Sequence, residues 1–385
     1  MRRIENSGNI FLIKVISIII MVSCLATNCR KIKRTNDSEA DNKSFAETGI
    51  INSMENGTKW SRCFMTNDKA IYFKDSLMSH DGGKTLFKQA RLNLEEINGA
   101  PERAVLSTGN LFYALDGPTE YIEPGVYRGR AWRSADNLKT LKVEEPMFYI
   151  PDGAAPIKNN TEWYGLFVYR TIIIMPDSTW LMTMYGNFIS DTLAPYETDA
   201  KKETRFMQRT IIVTSKDKGH TWNYLSTVAV PQKGDPVAEG LVEPAITMLK
   251  DGRILCIMRS GHHFPLYSSW SSDNGKTWTP PLYTGLDRGC DPCLITLHDG
   301  RVALSWGRRF PEGWSQLTPD GDKGLYVYPG EGYTTLSISN DGGISWESAK
   351  IIQKAGSCYS TIFEIEPGII FMQADQWYCR IKLHS

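Results

Sequence analysis

The sequence lacks any excess of charge: 43 Lys and Arg balance 43 Asp and Glu across 385 residues, for a formal net charge of zero. There is no basic tail and no basic helix, which excludes the electrostatic footprint of a nucleic-acid partner. Cysteine is sparse, with 8 in the chain. Cys290, Asp291, Pro292 and Cys293 form one C-x-x-C, without a second pair at zinc spacing and without the strand–helix–strand context of a redox motif. These two thiols are expected near a loop, and Cys256 in the core of an apolar strand. His262 and His263, being adjacent, would point to opposite faces of a strand and make no metal site. No metal and no cofactor are expected. A sustained helical period is missing too, and the apolar run at 15–22 is short for a bilayer span.

What is present begins at the N-terminus. Arg2, Arg3 and Lys14 precede that apolar run, and Ser23 and Cys24 follow it. A basic start, a short apolar core and a small residue before the cut predict a secretory signal peptide over 1–24. Cys24 resembles the cleavage-site cysteine of bacterial lipoproteins, although Met21 stands where Leu is usual; Cys29 is the second choice. The polar, mixed-charge stretch over 25–47 reads as a flexible tether. The chain is therefore expected to be exported: periplasmic, outer-membrane lipoprotein or secreted, with a membrane tether through a lipidated Cys24 as one form.

One short pattern recurs through the rest of the chain. Ser271, Asp273, Gly275, Thr277 and Trp278 give its clearest copy. Ser215, Asp217, Gly219, Thr221 and Trp222 repeat it in full. Ser339, Asp341, Gly343, Ser345 and Trp346 have Ser for Thr, and Ser79, Asp81, Gly83, Thr85 and Leu86 lack only the Trp. Ser134, Asp136, Thr140 and Leu141 form a worn copy without the Gly. Such a pattern suits a tight turn between strands. The Asp accepts backbone N–H groups, the Gly takes φ > 0, and the Trp packs between sheets. Ahead of each copy lies an apolar strand, a polar turn and a second apolar strand. The turns fall at Asn67, Gly109, Asp177, Asp251 and Asp299, with a sixth at Pro367. Asp-Gly between apolar runs is a strong hairpin signal.

These turns resemble the Asp-boxes of the sialidase-like (neuraminidase, BNR repeat) superfamily. The resemblance implies an all-β, six-bladed β-propeller over 48–385, in the period range of propeller blades. The last hairpin leaves too little chain for a full blade, so a closing strand is expected from 45–60. An insertion around 188–204 could overhang the active face.

The inner strands of such repeats open with Arg62, Arg103, Arg170, Glu243, Asp291 and Tyr359; the second strands end at Asp75, Asp116, Tyr185, Arg259, Arg308 and Asp375. In register these make a cationic pocket with acids beside it, suited to a carboxylated or sulfated sugar. Glu243 with Arg259, then Ser305 to Arg309, then Ser357 to Ser360 resemble, in order, the sialidase segments for the catalytic Glu, a further carboxylate-binding Arg and the Tyr nucleophile. The resemblance implies that Arg170, Arg259 and Arg308 hold a substrate carboxylate and that Glu243 activates Tyr359 in a retaining mechanism. Either Arg62 or Arg170 completes the arginine triad, with Arg170 preferred. Arg62, Arg103 and Asp291 are weaker binding candidates. The long loop that carries the family's acid/base Asp is missing after Arg62, leaving Asp75, Asp116 or Asp191 for that role, with Asp116 preferred. The implied partner is a sialylated or other acidic oligosaccharide. Two further readings stand beside it: a hydrolase or lyase for another uronic or sulfated sugar, and a non-catalytic glycan-binding propeller.

Overall fold

A computed structural model describes residues 44–54, 63–73, 77–88, 104–150, 166–191, 208–232, 240–260, 265–286, 289–308, 333–354, 359–374 and 376–384. The signal-peptide and tether expectations over 1–43, Cys24 included, lie outside the described residues, as do Arg62, Asp75, Arg103, His262, His263, Arg309 and Asp375. Among the described residues all regular structure is strand; no helix occurs.

The chain opens with β1 (Ala46–Thr48) and β2 (Asn52–Ser53). Then come β3 (Phe64–Met65), β4 (Ile71–Tyr72), β5 (Leu77–Ser79) and β6 (Phe87–Lys88), paired in that order as one antiparallel sheet. The next strands are β7 (Ala104–Thr108), β8 (Leu111–Glu123), β9 (Val126–Ser134), β10 (Lys142–Glu144), β11 (Met147–Tyr149), β12 (Leu166–Ile174), β13 (Trp180–Gly186), β14 (Arg209–Ser215) and β15 (Thr221–Ala229). They merge into a nine-stranded sheet, because β11 bridges β9 to β15 and β7 meets β12 in parallel at Val105 and Thr171. The β8–β9 pairing closes eight of these strands into a ring. Two four-stranded sheets follow: β16 (Leu241–Met248), β17 (Ile254–Ser260), β18 (Leu266–Ser271) and β19 (Leu282–Tyr283), then β20 (Gly289–Thr296), β21 (Val302–Arg308), β22 (Tyr333–Ser339) and β23 (Lys350–Gln353). Last come β24 (Ser360–Glu366), β25 (Ile369–Ala374) and β26 (Trp377–Leu383). The start of the chain completes that sheet: Ala46 pairs with Leu383, Thr48 with Ile381, and Asn52 with Tyr378. The closing strand thus comes from the expected segment. It begins inside the span read as tether, because Ala46 is buried against the last sheet's core.

The repeated turns join third strands to fourth. In the turn after β5, Ser79 Oγ donates to Asp81 Oδ1 (2.7 Å) and accepts from Gly83 N–H (2.8 Å). Thr85 N–H donates to Asp81 Oδ1 (2.9 Å), and Thr85 Oγ1 to Asp81 Oδ2 (2.6 Å). The worn copy closes in the same way: Leu138 takes the glycine's place at φ 62°, and its N–H reaches Ser134 Oγ at 2.9 Å. A left-handed Leu is strained, but its side chain is buried among Phe64, Tyr72 and Met78 of the preceding sheet. Each turn seats on its predecessor in this manner. A Cβ on Gly343, at φ 89°, would lie 2.5 Å from Leu255, and one on Gly83, at φ 83°, 2.4 Å from Phe371. Trp222 Nε1 donates to Tyr113 OH (3.3 Å), whose own proton goes to Gly219 O (2.8 Å). Trp278 Nε1 lies 3.1 Å from Ser226 Oγ.

The apolar core is divided accordingly. Separate clusters lie between β3–β6 and β7–β10, between β7–β11 and β12–β15, between β12–β15 and β16–β18, between β16–β18 and β20–β21, and between β20–β23 and β24–β26. A last cluster joins Phe371 and Tyr378 back to Ile71 and Phe73 near the start. Each group therefore packs on its two neighbours in sequence, and the last packs on the first.

Candidate active site

Sheet register places the site. The strands β12, β16 and β20 each carry a bulge against their hairpin partner. The breaks fall between Val168 and Ile172, between Val242 and Ala245, and between Cys290 and Cys293. Inside the bulges stand Arg170, Glu243 and Asp291, at φ 67°, 47° and 52°. A bulge re-aims a side chain out of the pleat, and a left-handed non-glycine residue marks strain that tends to collect at functional sites. Pro244 and Pro292 follow the two acids. Proline has no N–H for the ladder, so it fits where pairing is broken.

All three residues are buried, and their charges meet. Arg259, paired in the ladder with Val242, forks onto Glu243: Nη2 donates to Oε1 (2.9 Å), and Nε lies 2.7 Å from Oε2. Asp291 N–H donates to the same Oε2 at 2.8 Å. The Asp291 carboxylate accepts from Tyr169 OH and lies 3.3 Å from Arg170 Nη2. Arg170 also donates through Nη1 to Asp291 O (3.3 Å) and through Nη2 to Ser360 O. Two guanidinium groups and two carboxylates thus balance in a buried network, which satisfies the demand that buried charges be paired. Thr183 Oγ1 lies 2.7 Å from Tyr169 O and 3.2 Å from Pro244 O, tying β13 to β12 and β16. Ser305 and Ser360 hydroxyls meet at 2.9 Å, tying β21 to β24.

The structure therefore brings together Arg170, Glu243, Arg259 and Asp291. Tyr359 stands immediately before β24, half-buried, next to the Ser360 carbonyl that Arg170 holds. Arg308 ends β21, opposite Gly289 and Tyr333. Asp116 is not at a strand end as expected: β8 runs on to Glu123, because the Leu115–Pro118 bulge bends the strand without ending it. Asp191 is engaged by Arg209, whose Nε donates at 2.9 Å, and by Phe188 N–H at 2.7 Å. The C-x-x-C is on β20 rather than near a loop: Cys290 pairs with Gly307 and Cys293 with Ser305, Asp291 and Pro292 bulge between them, and both thiols are buried in the sheet. Tyr169, Thr183 and Ser360 were missed. The signal that could have found two of the three bulges is the acid–proline pair repeated at Glu243-Pro244 and Asp291-Pro292, which the sequence reading did not use.

A family model described as BNR repeat-like domain matches residues 110–372. The chain belongs to this family. The BNR match covers Arg170, Glu243, Arg259, Asp291, Arg308 and Tyr359. No curated protein matches the chain. Among solved structures, this BNR protein is similar to a Hadza microbial sialidase: 16% identity, TM-score 0.56, covering 85% of this chain and 66% of that one. It therefore spans slightly less than two thirds of that sialidase. It is also similar to a protein of unknown function from Dyadobacter fermentans (14%, TM-score 0.59, covering 89% and 100%) and to an α-L-arabinanase from Penicillium chrysogenum (13%, TM-score 0.52, covering 88% and 98%). At these identities the likeness is one of fold, a fold shared with glycosidases.

Proposed function

We propose that this chain is an exported glycoside hydrolase of sialidase type, releasing a terminal acidic sugar from glycans. In this reading the four-stranded groups are six blades of one propeller, closed by β1, and the bulged strands β12, β16 and β20 line its axis. The observation that carries it is the buried set of left-handed charged residues at matching positions on successive inner strands, with Tyr359 at the next. Glu243, gripped by the Arg259 fork, is the base that takes the phenol proton of Tyr359. The phenolate attacks the anomeric carbon and Asp116 protonates the leaving oxygen; water then releases the sugar with retention. A phenol suits an anionic sugar, since a carboxylate nucleophile would meet the substrate's own negative charge. Arg259 and Arg308 are assigned the role of binding the substrate carboxylate. The 1–24 signal exports the enzyme and the polar stretch from 25 to the start of β1 tethers it, with Cys24 as its lipid anchor.

The test is release of a fluorogenic aglycone from an α-sialoside by wild type and Tyr359→Phe. Wild type should turn over and the variant fall by at least about a thousandfold. A wild type inert towards sialosides removes the assignment. A second reading, a hydrolase or lyase for another uronic or sulfated sugar, is favoured by the missing acid/base loop after Arg62; turnover of uronides but not sialosides would select it.

A further inference from the structure

Asp291 touches both halves of the proposed machinery. Its N–H donates to Glu243 Oε2 at 2.8 Å. Its carboxylate and carbonyl both receive Arg170, each at 3.3 Å, and Arg170 carries on to the Ser360 carbonyl. Ser360 is bonded to Tyr359. The side chain of Asp291 is fully buried and that of Arg170 is 6% exposed. Tyr169, next to Arg170 in the same bulge, donates its phenol proton to Asp291 as well. The contacts thus run from Arg259 through Glu243, Asp291 and Arg170 to the main chain beside Tyr359, across four successive sheet groups.

We infer that Asp291 is a positioning residue, fixing Tyr359 through Arg170 and Glu243 through its own N–H, and that Arg170 ties strands together instead of gripping the substrate carboxylate. The physical case is geometric. Both terminal nitrogens of Arg170 already face acceptors of β20 and β24. A guanidinium shared among one carboxylate and two carbonyls is locked in place, and turning it to a ligand would leave Asp291 buried without its counter-charge. Placement of the phenol and its base on different strands needs such a lock, because a misplacement of about 1 Å can lower a rate about a hundredfold.

The inference rests on the glycosidase reading only for its kinetic arm. The full-length chain is compared as wild type, Asp291→Asn, Arg170→Lys and Tyr169→Phe, with a fluorogenic sialoside as probe and amide hydrogen exchange as a second measurement. Asp291→Asn keeps the shape and the N–H but removes the charge. Asp291→Asn and Arg170→Lys should each lower kcat about a hundredfold, with KM within about threefold of wild type. Tyr169→Phe keeps the ion pair and should lose about tenfold at most. Exchange should quicken at the start of β24 in the first two variants and stay slow in β17. A raised KM at unchanged kcat in Arg170→Lys overturns the inference, since that is the mark of a lost substrate contact. If wild type turns over no glycoside, the functional reading fails and exchange decides: unchanged protection at 360–362 overturns the inference, and loss there sustains it. Should one charge variant fail to fold, the other, which breaks the same Asp291–Arg170 pair, carries the same exchange comparison.

Discussion

Glu243 and Arg259 show what a buried ion pair asks of the residues around it. Their side chains are 11% and 10% exposed and meet through two contacts of 2.9 and 2.7 Å. Removing one partner of such a pair strands a charge out of water. Glu243→Gln is expected to destabilise the protein by about 3–5 kcal/mol, read as a lower urea midpoint. Arg253 and Asp251 offer a control with the same chemistry at 34% and 52% exposure, 2.8 Å apart. Arg253→Ala should lose less than about 1 kcal/mol, because water already solvates both ends. Equal losses in the two variants would mean that the buried network does not hold its strands together. The backbone at Glu243 adds strain: φ 47° ahead of a proline is a conformation an L-residue holds only when its surroundings impose it.

At the scale of the element, the Asp-box turn is a carboxylate held by donors. Thr277 Oγ1 and Thr277 N–H both point at Asp273, at 2.6 and 2.9 Å, and keep its pKa down at about 2. The Thr140 N–H and hydroxyl do the same for Asp136, also at about 2. An unfolded Asp titrates at about 3.9. A folded pKa below the unfolded one contributes stability above pH about 4, and that contribution fades as pH falls through about 2. Wild type should therefore exceed Asp273→Asn in urea stability at neutral pH, with the gap narrowing steadily between pH about 4 and about 2. A gap that does not change with pH would show that the charge plays no part. These turns were legible in the sequence because all their partners lie within a few residues, and the hairpins for the same reason. Leu138 was the exception: its left-handed backbone is imposed by burial among Phe64, Tyr72 and Met78, side chains far away in the chain. The bulges at Arg170, Glu243 and Asp291 were hidden likewise. Register between strands decides them, and the one local trace, an acid–proline pair at two of the three, was not read as a bulge.

At the scale of the whole molecule, every apolar cluster lies between one sheet group and the next, so no group completes its core alone. Sequence order gave the contacts of neighbours, and the expected return of the chain's start to its end gave the last one. The side-chain ties between groups that are not neighbours, such as Arg170 to Ser360, join residues too far apart in the chain for local pattern to reveal. That architecture puts weight on β1. It contributes Ala46 to the core beside Ile362, Ile381 and Leu383, and its carbonyl at Ala46 receives Lys350 from β23. Gly49 N–H reaches Arg380 O at 2.8 Å, extending the pairing past the strand. Deleting residues 1–49 should bare the β26 edge at Ile381, Lys382 and Leu383, and a bare edge of alternating apolar residues invites association with other chains. A chain starting at Ile50 is expected to unfold at a clearly lower temperature than one starting at Ser44, and to elute partly as aggregate in size-exclusion chromatography. The loss should exceed the burial of one alanine, because the cluster beneath β1 is shared with β20–β23 and loosening it frees both groups. Equal melting temperatures and a single monomer peak for both chains would show that β24, β25 and β26 hold that cluster without the closing strand.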